Sequence, residues 1–168
     1  MQKFRLKLTI ALVFFIFLAM NHTTLCQSGT PAECFQSLGY SAIQMTPNIY
    51  GHFELNVKLD GKYEITLIVD TGANISLLSK HLLDSLGYET FPVPDTEGRT
   101  FYRTRIDSLV FGNANTGRRE MFAGKLEELF PGFSLYGKRV HGIIGSDLLN
   151  RYSAIIEVPF SRLFLKIH

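Results

Sequence analysis

From residue 50 onward, hydrophobic and polar positions alternate with the period of two that a half-buried strand requires. In "HFELNVKL" the residues Phe53, Leu55, Val57 and Leu59 share one face. The "DG" at Asp60–Gly61 is a two-residue hairpin signal, because such a turn needs positive φ at its central positions. "KYEITLIV" carries the chain back and delivers it into Asp70. The pattern predicts a β-hairpin over these residues.

Further along, Ser79 is placed to cap a short helix, "KHLLDSLG", with Leu82, Leu83 and Leu86 on one face and Gly87 as its stop. "YETFPVPDTEGRT" reads as a loop, since it holds two prolines and Gly98. "FYRTRIDSLVFG" alternates again, with Tyr102, Thr104, Ile106, Ser108 and Val110 opposed to Phe101, Arg103 and Arg105. Gly112–Asn113 marks a turn, and "REMFAGKL" reads as a strand. The tail "HGIIGSDLLNRYSAIIEVPFSRLFLKIH" predicts a buried apolar triplet, a short helix starting near Asp147 and a final hairpin turning at Pro159–Arg162. Residues 27–47 mix Ser, Gly, Thr and Pro and read as a leader, so the folded domain is expected over 48–168. The fold class is mostly β, built from short strands with one or two brief helices and no internal repeat.

Length and composition sharpen this. At 168 residues, 46% hydrophobic and 19% charged, the chain is a folded domain with room for a short appendage. That appendage stands at the start, where Lys3, Arg5 and Lys7 precede the uncharged run "LTIALVFFIFLAM". A basic n-region before a short apolar stretch is a secretory signal, and the run is shorter than the roughly 20 residues a spanning helix needs. Residues 1–26 are therefore expected to be a signal peptide cleaved after Cys26, giving an exported protein, periplasmic or secreted. The alternative is an uncleaved anchor, and contact with a membrane is expected only in that case. Of 17 basic and 15 acidic residues, removing Lys3, Arg5 and Lys7 leaves 14 against 15. The basic balance belongs to the targeting segment, so no nucleic-acid partner is expected. Cleavage after Cys26 leaves Cys34 alone, whereas earlier cleavage permits a Cys26–Cys34 bridge closing a small loop.

Most motifs of catalysis are absent. There is no G-x-S-x-G, no phosphate-binding loop, no G-x-G-x-x-G and no C-x-x-C. The histidines His22, His52, His81, His141 and His168 show no H-x-x-x-H spacing, so neither a metal site nor a cofactor is expected. His81 reads as a surface residue, and among the five only His141 stands near the candidate chemistry.

That chemistry is "LIVDTGANISLLS", Leu67 to Ser79. Asp-x-Gly alone is ordinary turn chemistry. Here, however, Asp70 follows Leu67, Ile68 and Val69 and precedes Ala73, Ile75, Leu77 and Leu78, where a turn Asp would have polar neighbours. Burying a carboxylate costs several kcal/mol unless it is hydrogen-bonded or shares a proton.

This stretch resembles the active-site segment of retropepsin-like aspartic proteases, a hydrophobic run followed by Asp-Thr-Gly-Ala. The family's second mark, an apolar pair followed by Gly late in the chain, matches Ile143-Ile144-Gly145. "HGIIGSDLLNRY" is similar to the corresponding run of secreted or periplasmic bacterial members. The resemblance covers residues 50–168 and implies a closed β-barrel, single acid-protease lobe. It further implies that Asp70 supplies the catalytic carboxylate and that Thr71, Gly72 and Ala73 support its loop. Ile143, Ile144 and Gly145 would then pack behind that loop. The implied activity is peptide-bond hydrolysis by a water between two such carboxylates. Because this chain has one Asp-Thr-Gly, the second must come from another copy, so a homodimer acting on a peptide or protein substrate is expected. The near-match "PDTEG", Asp95 to Gly98, interposes Glu97 and reads as a loop. The hairpin that closes over substrate is expected in "TEGRTFYRTR", with Gly98 at its tip and Phe101 and Tyr102 facing the cleft.

Two features depart from the family. Viral members usually place an Asp after Asp-Thr-Gly-Ala and an Arg after the late Gly, which pair. Here those positions are Asn74 and Ser146, so that ion pair is absent. Asp147 reads as a helix N-cap, and the sequon Asn74-Ile75-Ser76 as an accident of the motif. The competing reading is a catalytically silent, retropepsin-like peptide-binding module.

Overall fold

The computed structural model describes residues 29–94, 98–130, 132–133, 136 and 139–167. It divides into a unit ending at Gly39 and a second from Tyr40 onward. In the first, helix α1 (Pro31–Ser37) opens with a capping box: the Thr30 hydroxyl accepts from the Glu33 amide, and the Glu33 carboxylate accepts from the Thr30 amide. Cys34 is disulfide-bonded to a partner outside the described residues. Residues 1–26, expected to be a signal peptide, also lie outside the described residues.

The second unit begins earlier than composition suggests. Strands β1 (Ser41–Gln44) and β2 (Thr46–Pro47) fall within the residues read as a leader. β1 pairs antiparallel with the last strand and β2 with the first long one, so both owe their form to distant partners. The expected hairpin is β3 (Phe53–Leu59) and β4 (Tyr63–Val69), fully paired from Phe53↔Val69 to Leu59↔Tyr63. Asp60 and Gly61 take positive φ, 51° and 66°, as that turn demands. The Asp60 carboxylate also accepts from the amides of Asp107 (2.7 Å) and Ser108 (2.8 Å) and the Tyr88 hydroxyl (2.6 Å). Burial, then Asp60, push the Tyr88 hydroxyl well above its ordinary range, so it stays a donor.

After β5 (Leu77–Ser79) comes α2 (Lys80–Ser85), capped by the Ser79 hydroxyl and ended by Gly87 at φ 79°. Of its three leucines Leu83 is fully buried. The supposed proline loop contains β6 (Phe91–Pro94), which forms a hairpin with β7 (Thr100–Ile106). Its prolines are tolerated because β6 is an edge strand. Asp95, Thr96 and Glu97, within the near-match to the motif, lie outside the described residues. β8 (Leu109–Phe111) and β9 (Ala114–Asn115) turn at Gly112, and β10 (Arg119–Gly124) follows. Helix α3 (Leu126–Leu129) was not signalled by any periodicity. β11 (Gly142–Ile144) is buried throughout, α4 (Ser146–Arg151) follows, and the last hairpin joins β12 (Ile155–Glu157) to β13 (Arg162–Leu165).

The architecture is mostly β, with four short helices among the described residues rather than one or two. A three-stranded sheet runs β1-β13-β12. The larger, ten-stranded sheet runs β6-β7-β10-β5-β11-β4-β3-β8-β9, with β2 on β3; among the described residues it is an open path, and no ladder joins its ends into the expected barrel. Its centre is the feature that positions the site. β11 lies parallel to β4 and antiparallel to β5, so the strand enters between the two that flank Asp70.

Entry requires a close approach. A Cβ on Gly142 would collide with the Leu77 carbonyl oxygen and lie 2.8 Å from the Leu67 side chain. Gly142→Ala is therefore expected to lower unfolding free energy by about 1–3 kcal/mol, in the range of an overpacked core. Urea denaturation followed by circular dichroism measures this, and wild-type stability would contradict the steric account.

Candidate active site

Asp70 stands where β4 ends. Its amide donates to the Ile144 carbonyl (3.0 Å), which extends the β4–β11 ladder to the last residue before the turn. The Asp70 carbonyl accepts from the Ala73 amide (3.2 Å), and its Oδ1 accepts from the Gly72 amide (2.9 Å). Thr71 and Gly72 are exposed at the loop tip, whereas Asp70 and Ala73 are half-buried. The carboxylate is thus bonded on one oxygen and reaches solvent from an otherwise apolar strand end.

The return side of the loop is held as tightly. The Ser146 amide donates to the Ala73 carbonyl (2.8 Å), and the Ser146 hydroxyl to the Asn74 carbonyl (3.3 Å). Positions 74 and 146, which lack the expected ion pair, are therefore joined by a neutral bond. Gly145 lies so near the loop that a Cβ would sit 2.7 Å from the Ile75 backbone and 2.8 Å from the Ala73 carbonyl oxygen. Ser76, 1% exposed, accepts from the Gly145 amide (2.9 Å) and donates to Asp147 Oδ1 (2.6 Å). This corrects the reading of Asp147 as an N-cap. Gly145 takes that place in α4, and the Asp147 carboxylate instead ties the two turns together.

Ile143 and Ile144 point in opposite directions, as strand alternation dictates. Ile144 joins the main core with Leu67 and Val69, while Ile143 joins a second cluster with Ile68, Leu77, Phe133 and Tyr136. That second cluster floors a cleft of about 390 Å³ with Asp70 at its edge. Ile68 and Ile143, directly paired, form the floor. Tyr50 and His52 approach from the segment before β3, and Phe130, Phe133 and Tyr136 from the connection between α3 and β11.

Of the residues expected on the β6–β7 hairpin, neither Phe101 nor Tyr102 lines this cleft. Gly98, at φ 77°, does lie in the connection of that hairpin. Phe101 packs on the edge of the second cluster, whereas Tyr102 turns to the opposite face against the main core, with the Lys80 amine 4.7 Å from its ring centre. Gly98 and Tyr102 line a separate hollow with Lys125 and Glu128. Alternation along β7 sets Phe101 and Tyr102 on opposite faces, so the two cannot both face the cleft.

Nor is His141 the histidine of the cleft. Its amide donates to the Thr66 carbonyl (2.7 Å), its carbonyl accepts from the Ser79 amide (2.8 Å), and its ring Nδ1 accepts from the Thr66 amide (3.0 Å). It lengthens the β11 ladder on both sides. The histidine beside Asp70 is His52. The density of aromatics in "FPGFSLYG" was the one sequence signal for the cleft's wall, and it went unused.

Comparisons with known proteins bear on the family and the fold. The sequence profile of the aspartyl protease family matches residues 55–148. No curated protein matches the chain. Among solved structures, a retropepsin-like aspartic protease from Rickettsia conorii aligns over 75% of this chain and 91% of its own, at 22% identity and a TM-score of 0.53, so the two share a fold. EIAV protease aligns over 67% of this chain and 98% of its own, at 16% identity and a TM-score of 0.46. The retroviral protease-like domain of Ddi1 from Leishmania major covers 67% and 86%, at the same identity and score.

Two outcomes follow from the loop's bonding. Ser76→Ala removes the donor to Asp147 and leaves the buried Gly145 amide without its acceptor. It should destabilise the fold by about 1–3 kcal/mol, read by urea denaturation; an unchanged midpoint would remove Ser76 from the clasp. His141 supplies the pH term. Burial lowers its pKa from 6.5, and its ring nitrogen must stay unprotonated to accept from Thr66. Its contribution is intact above 6.5, where folded and unfolded chains are both neutral, and is lost as pH falls through the lowered folded value. Stability measured across this range should decline toward acid, and His141→Asn, which keeps an acceptor but does not titrate, should flatten the decline.

Proposed function

Because the chain belongs to the aspartyl protease family, we propose that it is an aspartic endopeptidase in which Asp70 and the Asp70 of a second copy share one proton across a two-fold axis. Two carboxylates about 3 Å apart cannot both ionise, so one acts as base toward a water while the other acts as acid toward the peptide. The water attacks the scissile carbonyl and gives up its proton to the ionised carboxylate. The protonated partner then supports the developing oxyanion, and proton transfer to the amine completes cleavage.

One observation carries this reading. Asp70 is presented at the rim of an apolar cleft on a turn anchored at its start by the Ile144 carbonyl of β11 and at its return by the Ser146 amide of α4. Anchored this way, the carboxylate cannot retreat when a second charge approaches. The exposed Thr71 and Gly72 leave the tip open to an identical loop. A Cβ on Gly72 would meet Asp70 Oδ1 at 3.2 Å, so a side chain there would press on the carboxylate itself. The substrate is an extended peptide laid along the cleft. The basic n-region and apolar run at the start of the chain support export of the enzyme.

Asp70→Asn should reduce peptide cleavage between about pH 3 and 7 by about 10²–10⁴-fold, the usual weight of an acid–base group. Equal rates in wild type and variant would sink the catalytic role. The dimer has its own measurement: adding Asp70→Asn protein to wild type should depress activity below that of wild type alone, as mixed dimers form. Additivity, or activity sedimenting wholly with monomer, would exclude a shared pair.

A further inference from the structure

Apart from Asp70, the cleft carries the polar side chains of Tyr50, His52 and Tyr136, and the last two form a hydrogen-bonded pair. The Tyr136 hydroxyl and His52 Nδ1 are 2.6 Å apart, 84 positions apart in sequence. Tyr136 is only 9% exposed, and burial first, then the nearby Glu54, Tyr50 and Asp70, push its hydroxyl above the ordinary range. The hydroxyl therefore stays protonated, and which of the two groups donates in the pair is set by the His52 tautomer.

Both partners are held from outside the cleft. The Asn48 side-chain oxygen accepts from the amides of Tyr50 (3.0 Å) and His52 (3.1 Å), and its nitrogen donates to Glu54 (2.9 Å). The Asn48 amide donates to the His52 carbonyl (2.9 Å), so the turn that carries the imidazole is closed on itself. Directly after it, Phe53 pairs with Val69 beside Asp70. The Tyr136 ring meets Tyr50 edge-to-face at 5.2 Å, His52 at 5.9 Å and Phe133 at a tilt, 5.6 Å.

We infer that His52 and Tyr136 are positioning residues for specificity: their hydrogen bond sets the Tyr136 ring as the wall against which a peptide's aromatic side chain, next to the bond to be cut, is seated. The inference rests on the peptidase reading above. A flat apolar side chain presents a face or edge to each of three rings that are already oriented edge-to-face, and it enters without unpairing the hydroxyl. An acidic side chain would lose hydration among these rings, with Asp70 at the cleft's edge repelling it. A small side chain would leave the wall uncontacted.

The experiment uses peptides identical except for Phe, Leu, Ala or Glu beside the bond. Cleavage by wild type and binding to Asp70→Asn protein, by fluorescence anisotropy, are measured in parallel. Wild type should prefer Phe over Ala by at least about tenfold. His52→Ala, which removes the imidazole partner of the Tyr136 hydroxyl, should bring that ratio toward one, with the loss in KM rather than kcat. Tyr136→Phe keeps the ring and should lose less. His52→Gln, whose amide oxygen accepts from the hydroxyl, should restore the preference. If His52→Ala does not fold, Tyr136→Phe and His52→Gln decide between them. A Phe preference absent from wild type, or unmoved in the folded variants, would overturn the assignment. If wild type cleaves no peptide while the Asp70→Asn protein still selects Phe in a His52-dependent way, the peptidase reading fails and this one stands.

Discussion

Two backbone hydrogen bonds, from the Asp70 amide to Ile144 and from the Ser146 amide to Ala73, bracket the turn that carries the carboxylate. They resolve the conflict of an acidic residue at the end of an apolar strand. Unpaired amides and carbonyls at the buried ends of the turn would cost stability, and these two bonds satisfy them. With β11 between β4 and β5, the turn's polar groups have partners and the side chain is directed outward. Gly142 and Gly145 are required by the same arrangement, because each stands where a Cβ would meet neighbouring backbone. Removal of β11 would leave β4 and β5 without a common neighbour.

The unbroken apolar run before Asp70 also has its explanation here. In β4, Leu67 and Val69 face the main core while Ile68 faces the cleft cluster, and on β11 Ile144 and Ile143 divide likewise. A strand covered on both faces cannot alternate with polar residues. The strand that delivers Asp70 is thus also half the cleft's floor, so the position of the acid and the shape of the adjoining pocket are not independent.

Elements with a local cause could be read from sequence. The β3–β4 hairpin followed from its period of two and Asp60–Gly61, and α2 from Ser79 and Gly87. The Asp70 turn and the Ile143-Ile144-Gly145 triplet stood out as apolar runs interrupted at defined points. What could not be read depends on partners far along the chain. β1 has one buried residue in four and is a strand only because β13 lies beside it. β6 holds two prolines and is a strand only because β7 leaves it an edge to occupy. His52 and Tyr136 meet across 84 positions, a relation no window along the sequence contains. Asp147 had the right neighbourhood but the wrong partner, since its acceptor role is set by Ser76, 71 positions earlier.

The insertion of β11 also orders events in time. Synthesis proceeds from the N-terminus, and a nascent domain must hold its apolar segments until their partners emerge. Asp70 and its turn are made long before residues 142–147, so β4 and β5 wait with an empty slot between them, and the carboxylate has no fixed position until the slot is filled. Loop closure over such a separation is slow compared with the formation of the β3–β4 hairpin. The acidic turn therefore cannot be complete before residues 142–147 have been made, so a shorter nascent chain carries no formed site.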